Sequence, residues 1–234
     1  MKKVRILLNR LKDLLSVGEN YYQGDLYKKF QIIFELIETK KITHKQAIHK
    51  VKNIFINDKK IKYELLKFIK NNYYKRIVLG NKLNLFSRIN ISIKPMKKNQ
   101  YEPMHFHRDV MSFQIILKGK CKTNEFQKIK INKNEIQYKK FHSKLLNANE
   151  LFLTGPNYKD IHGFGSKTDT CYILDVAKYY GLFGKTNGIL GKNKSDLKNT
   201  RFYLDINKEK KINKYKFKSP LINEQEAYFK YSQF

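Results

Sequence analysis

The chain has 234 residues, 41% of them hydrophobic and 14% aromatic, which is enough for one packed barrel and an accessory segment. Its formal net charge is +29, but only six of its 49 basic residues are arginine. Because base and phosphate recognition favours clustered guanidinium groups, these scattered lysines argue against a specific nucleic-acid partner. Two cysteines exclude a disulfide framework and favour a reducing, cytoplasmic location.

Residues 1–74 are predicted to be helical. In the N-terminal stretch up to Leu15, charged residues separate the apolar ones, which is typical of an amphipathic helix rather than a signal peptide. No apolar run in the chain approaches the ~20 residues that a membrane span needs. Thr43 and Gln46 have the spacing of a capping box before another helix. We predict three or four short helices that pack on the outside of the following domain, with a partner-binding or oligomerisation module as the alternative.

Residues 75–234 are predicted to form a β-barrel domain. About nine short stretches rich in β-branched and aromatic residues alternate with Gly, Pro and Asn, which favours a barrel or sandwich over βαβ units. The insert 128–149 is expected to be a surface hairpin, and the glycine-containing segment 181–198 a loop that can fold over the barrel mouth. The tail after Asn207 is strongly charged, and no regular structure is predicted for it.

Two histidines that alternate on one predicted strand are the most informative feature of the chain. Side chains alternate between the faces of a strand, so His105 and His107 point the same way with Cβ atoms roughly 6.5–7 Å apart. A third histidine, His162, follows the turn signal at 154–157. Three imidazoles in this context predict a site for a divalent transition metal that keeps open positions, although a pair of alternating histidines alone is a weak signal. The histidines outside the pattern are His44, His49 and His142.

With these residues, the stretch 86–206 resembles the cupin superfamily, whose first motif has an acidic residue five positions after the second histidine and a glycine twelve after it. Gly119 matches the glycine, whereas Ser112 occupies the acidic position. Because it lacks that carboxylate, the chain resembles the thiol dioxygenase branch of the superfamily. Within that branch, the chain resembles the 2-aminoethanethiol dioxygenase and plant cysteine oxidase family in the motif residues Phe113, Leu117 and Gly119, and in the segments Asp160-Ile-His-Gly-Phe164 and Cys171-Tyr-Ile-Leu-Asp-Val176.

The resemblance implies a mainly β protein: a cupin-like double-stranded β-helix barrel with iron(II) as the cofactor, held by the three histidines. Asp175 is the expected catalytic carboxylate near the metal, where it can accept a hydrogen bond from a substrate amine or from a ligand histidine. Tyr180 is an approximate counterpart of the family's tyrosine, one position out of register. Arg201-Phe-Tyr203 matches the family's later Arg-x-Cys-x-Tyr-Tyr element only in part. It contains no cysteine, so the role of that cysteine in the family is not expected here.

The function that the resemblance implies is an iron-dependent oxidation of a thiol by dioxygen to a sulfinate, with 2-aminoethanethiol or the amino-terminal cysteine of a peptide as substrate. Arg88 and Arg108 could hold a substrate carboxylate, but neither lies in a motif. We expect a monomer. Two alternatives stay open: another metal-dependent cupin enzyme, such as a hydrolase, isomerase or lyase using zinc and water, and a non-catalytic binding module.

Overall fold

The computed structural model describes residues 25–71, 77–84, 87–107, 109–132, 134–141, 143–156, 158–180 and 201–232, so the helix predicted before Leu15 and the loop predicted at 181–198 lie outside it. Within these ranges the helices longer than one turn are α1 (Asp25–Glu38), α2 (His44–Asn57), α3 (Lys59–Asn71) and α4 (Glu224–Tyr231). None of them is long and apolar enough to cross a membrane.

The boundaries of the N-terminal helices follow from local hydrogen bonds. The predicted capping box is confirmed at α2: the backbone N–H of Gln46 donates to Oγ1 of Thr43, and the backbone N–H of Thr43 donates back to Oε1 of Gln46 at 2.8 Å. Asp58 then separates α2 from α3 and accepts from the backbone N–H of Ile61 at 3.0 Å. The same carboxylate pairs with Lys29 of α1 at 2.7 Å, which ties the three helices together.

The rest of the described chain is mainly strand. The strands are β1 (Ile77–Asn84), β2 (Ser87–Lys97), β3 (Tyr101–His107), β4 (Val110–Lys118), β5 (Cys121–Ile131), β6 (Glu135–Lys140), β7 (Lys144–Leu146), β8 (Leu151–Thr154), β9 (Ile161–Ser166), β10 (Thr170–Tyr180), β11 (Arg201–Leu204), β12 (Lys210–Lys211) and β13 (Lys216–Ile222). All pairings between them are antiparallel. The insert forms the predicted hairpin, because β6 returns along β5, but its predicted place on the surface is wrong: β6 also pairs with β13, and its Ile136 and Tyr138 side chains are fully buried.

The strand order identifies the fold. The first sheet contains the order β2-β10-β4-β8 with β1 at its edge, and the second contains β3-β9-β5 with β7 beside β5. Successive strands therefore lie in opposite sheets from β2 to β5 and again from β8 to β11, as in the eight-stranded jelly roll of cupins. The second sheet also closes into a ring, because β13 pairs with both β6 and β11. The predicted mainly β, cupin-like barrel with an N-terminal helical segment is confirmed.

The helices α1 to α3 lie on the outer face of the first sheet. Phe113 of β4 points outward, and its ring centroid lies 5.7 Å from that of Phe30 and 5.5 Å from that of Phe34, both on α1. All three side chains are fully buried. Because neighbouring residues on a strand face opposite ways, Ser112 and Gln114 point inward, between the two sheets.

The tail after Asn207 is ordered, which the sequence does not predict. Strand β13 completes the ring of the second sheet around a buried cluster that includes Phe106 and Tyr138. Helix α4 then packs on this ring, where the Tyr231 hydroxyl donates to Asp205 and Lys230 pairs with the same carboxylate at 3.0 Å. Because these partners are far apart in the sequence, the charged composition of the tail does not predict how the tail packs.

Candidate metal centre

Two neighbouring strands of the second sheet bring the three predicted histidines together. His105 and His107 lie on β3, and His162 on β9 is the direct cross-strand partner of His105. One side-chain nitrogen from each histidine lies within 4.8 Å of the other two. His105 and His162 are 1% and 3% exposed, and both face the first sheet. The three predicted histidines therefore lie close enough together to hold a metal ion.

The hydrogen bonds of the cluster leave ring nitrogens available to a cation. Nδ1 of His105 lies 2.7 Å from the carbonyl of Pro103, which can only accept, so this nitrogen carries the proton and Nε2 has a free lone pair. That Nε2 lies 3.1 Å from Nε2 of His107. Nδ1 of His107 and Nδ1 of His162 are buried without a hydrogen-bond partner among the described residues. These poorly satisfied nitrogens, with an imidazole-only donor set, fit a transition metal.

Burial keeps all three imidazoles neutral. Loss of solvation lowers the pKa of His105 and of His107 well below the ordinary value, and each histidine lowers the pKa of its neighbour further. Burial, followed by the charge of Arg201, lowers the pKa of His162 to about 4. Neutral imidazoles have the free lone pairs that metal coordination requires, so the cluster is ready to bind a cation near neutral pH.

A polar group faces the histidines from the first sheet. The Ser112 hydroxyl donates to Oδ1 of Asp175 at 2.7 Å, and Nε2 of Gln114 reaches the same oxygen at 3.3 Å. The side chains of β4 and β10 that carry these groups line the same cavity as the histidines. Asp175 thus lies opposite the histidine cluster, as the sequence predicts for a carboxylate near the site.

A buried ion-pair network adjoins the histidines, and no local pattern in the sequence predicts it as part of the site. Glu102 is 3% exposed and accepts from Nη1 of Arg201 at 3.2 Å, from the Tyr228 hydroxyl at 2.7 Å and from Lys94. Burial alone would raise the pKa of Glu102, but the charges of Lys94 and Arg201 outweigh it and hold this pKa at about 2. The carboxylate is therefore ionised and bound to its own cations.

The two adjacent tyrosines at the end of β10 point in opposite directions. The hydroxyl of Tyr180 donates to Glu38 of α1 at 2.9 Å, so the structure does not bring this predicted catalytic residue to the histidines. Tyr179 lines the cavity instead, on the same face of the strand as Asp175. The alternation of strand side chains, counted from Asp175, was the signal that could have identified Tyr179 in the sequence.

The cavity between the two walls has a volume of about 40 Å³. This volume accommodates an ion and a few ligand atoms, because one water needs roughly 10–15 Å³ on the same scale. Phe164 and Ile173 supply apolar parts of its lining. Fold and site together define a cupin-like barrel protein with a three-histidine cluster that could hold a metal ion.

Several solved structures are similar to part of the chain. An uncharacterized conserved protein with a double-stranded beta-helix domain from Klebsiella pneumoniae is 11% identical, over 47% of this chain and 87% of its own, at a TM-score of 0.30. A cupin-2 domain containing protein from Shewanella frigidimarina is 13% identical, over 49% of this chain and 89% of its own, at a TM-score of 0.32. An oxalate oxidase is 15% identical, over 38% of this chain and 41% of its own, at a TM-score of 0.29. No protein-family model and no curated protein matches the sequence.

Proposed function

We propose that this protein is an iron(II)-dependent thiol dioxygenase that adds both atoms of dioxygen to the sulfur of a small thiol and so forms a sulfinate. The observation that carries the proposal is the donor set: three buried, neutral histidines with Ser112 at the acidic position of the cupin motif. A neutral set leaves the full double charge of the ion to attract an anionic thiolate.

The residues of the chain bind and orient. His105, His107 and His162 would hold iron(II), which when bound lowers the pKa of a thiol and brings sulfur and dioxygen together on one ion. Asp175, fixed by Ser112 and Gln114, can accept a hydrogen bond from an amine of the substrate across the cavity. The apolar side chains of the lining help to exclude bulk water from the reacting atoms.

The substrates that we propose are 2-aminoethanethiol and the amino-terminal cysteine of a peptide, each with a free amine two carbons from the sulfur. A cavity of about 40 Å³ accommodates the thiol and amine of either, and the remainder of a peptide would have to lie outside it. Iron(II) held by the three histidines would leave room for both the sulfur and the nitrogen of such a substrate.

The proposal is tested by oxygen consumption of the iron-loaded protein with 2-aminoethanethiol and with a Cys-initiated peptide, and by mass spectrometry of the products. We expect consumption of one dioxygen per thiol and a gain of two oxygen atoms. A fully iron-loaded protein that oxidises neither thiol would exclude the proposal and leave the hydrolytic enzyme or the binding module.

A further inference from the structure

Three aromatic side chains of the second sheet and its turns lie in a row, and lysine side chains connect them. Tyr158 lies between β8 and β9, Phe141 follows β6, and Tyr215 lies in the turn between β12 and β13. Nζ of Lys159 is 5.7 Å from the ring centroid of Tyr158 and 5.6 Å from that of Phe141. Nζ of Lys139 is 5.9 Å from the centroid of Phe141 and 6.0 Å from that of Tyr215. Each ammonium group thus bridges two rings, and these five side chains form one continuous surface, the aromatic row.

The rings of the aromatic row are accessible to a ligand. Phe141 is 39% exposed and Tyr215 is 58% exposed. Tyr158 is partly buried, and its ring is held in place by stacking on the ring of His44 at 4.1 Å between centroids. Single exposed apolar side chains are ordinary on a protein surface, but exposed aromatic rings grouped with cations are typical of faces that bind a planar, anionic ligand.

The cations of the aromatic row are only partly balanced by carboxylates. Lys159 pairs with Glu125, but among the described residues no carboxylate pairs with Lys139 or with Lys216, its direct cross-strand partner. Like charges that face each other across an antiparallel pair destabilise the sheet. A bound polyanion would offset this repulsion, and the net charge of +29 favours its approach.

We propose that the aromatic row binds single-stranded nucleic acid without regard to base sequence, a function separate from the one proposed for the histidines. Every base has a flat face that can stack on an exposed ring, and the phosphates between the bases need only the point charges that lysine supplies. The bases of a duplex already stack on one another, so a single strand fits the row better. The scarcity of clustered arginines argues against base-specific recognition, which this mode of binding does not use.

Fluorescence anisotropy of the full chain with labelled strands of about twelve nucleotides tests the proposal. Strands of thymidylate and of uridylate carry bases, whereas an abasic strand of equal length carries the same phosphates alone. We expect the strands with bases to bind, the tighter one identifying DNA or RNA as the preferred ligand, and the abasic strand to bind about tenfold or more weakly. Equal binding of the abasic strand would overturn the proposal and indicate a general affinity for acidic polymers. Tighter binding of a duplex of the same length, or no binding of either strand with bases, would also overturn it.

Variants separate stacking from charge. Phe141→Ala and Tyr215→Ala should each weaken binding of the preferred strand about fivefold or more and leave the abasic strand unaffected, because only stacking is lost. Phe141→Trp keeps a ring and should bind like the wild type. Lys139→Gln should weaken binding of all strands and reduce the slope of log affinity against log salt by about one.

An exposed ring outside the aromatic row provides the matched control. Phe229 on α4 is 92% exposed, and Phe229→Ala should bind every strand like the wild type. Equal loss of affinity in Phe229→Ala and Phe141→Ala would overturn the proposal. A loss in Phe141→Ala that is the same for the abasic strand would also overturn it, because that strand has no bases to stack.

Discussion

The hydroxyl of Ser112 donates a hydrogen bond to Oδ1 of Asp175 at 2.7 Å. Ser112 therefore occupies the acidic position of the cupin motif without supplying a ligand carboxylate. It orients a carboxylate that comes from the neighbouring strand β10 and faces the histidines across the cavity. The neutral histidines would thus hold the metal, while Asp175, oriented by Ser112, would bind the amine of the substrate.

A glutamate at position 112 should strengthen metal binding and lower thiol oxidation. In Ser112→Glu, an anionic group near the histidines would occupy an open position and offset part of the charge of the metal. Iron content and oxygen consumption of the same preparation measure both effects. Ser112→Ala is the control, because it should retain metal while releasing Asp175. Unchanged oxidation kinetics in Ser112→Glu would mean that this position does not act on the metal.

Removing the charge of Asp175 should affect turnover more than metal content. Asp175→Asn keeps the size of the side chain and its contacts with Ser112 and Gln114, but it weakens acceptance of a hydrogen bond from a charged or polarised amine. We expect kcat/KM for 2-aminoethanethiol to fall about tenfold or more while iron stays near the wild-type level. Loss of iron in proportion to activity would instead identify Asp175 as a ligand.

Substitutions of the two tyrosines at the end of β10 should have different effects, one on stability and the other on catalysis. Tyr180→Phe loses the hydrogen bond to Glu38 and should lower the free energy of unfolding by about 1 kcal/mol with little change in turnover. Tyr179→Phe alters the cavity wall and should change kcat/KM instead. Urea unfolding and oxygen consumption of both variants are the measurements, and a turnover defect confined to Tyr180→Phe would restore the role that the sequence resemblance implies.

The metal-free protein should lose stability on mild acidification. Burial lowers the pKa values of the three histidines, that of His162 to about 4, whereas an unperturbed histidine titrates near 6.5. Below about pH 6.5 the unfolded chain therefore binds protons that the folded chain does not. As the pH is lowered through this range, the free energy of unfolding decreases by up to about 1.4 kcal/mol per pH unit for each histidine. Urea unfolding of EDTA-treated protein at a series of pH values measures this slope. The slope of the unfolding free energy against pH reports the number of protons taken up on unfolding, and in His162→Gln this number should be smaller by about one. An unchanged slope would contradict buried neutral histidines.

The sequence predicts features of the barrel and of the site that depend on local pattern. Alternation on one strand is enough to place His105 and His107 on the same face, and the capping box marks the start of α2. The sequence shows Arg201 only as part of a partial motif match, because its position beside His107 comes from pairing between strands about 95 residues apart, which no local pattern encodes. Tyr180 was chosen from an approximate motif match, although the two-residue period of the strand favours Tyr179 on the cavity face.

The metal content of protein purified anaerobically with iron(II) tests the three-histidine iron site. We predict about one iron per chain in the wild type and most of it lost in His162→Ala, because two remaining imidazoles hold the ion weakly. His49→Ala, on the surface of α2, is the matched control and should retain the wild-type content. Full retention of iron in His162→Ala, or no specific uptake by the wild type, would contradict a three-histidine iron site.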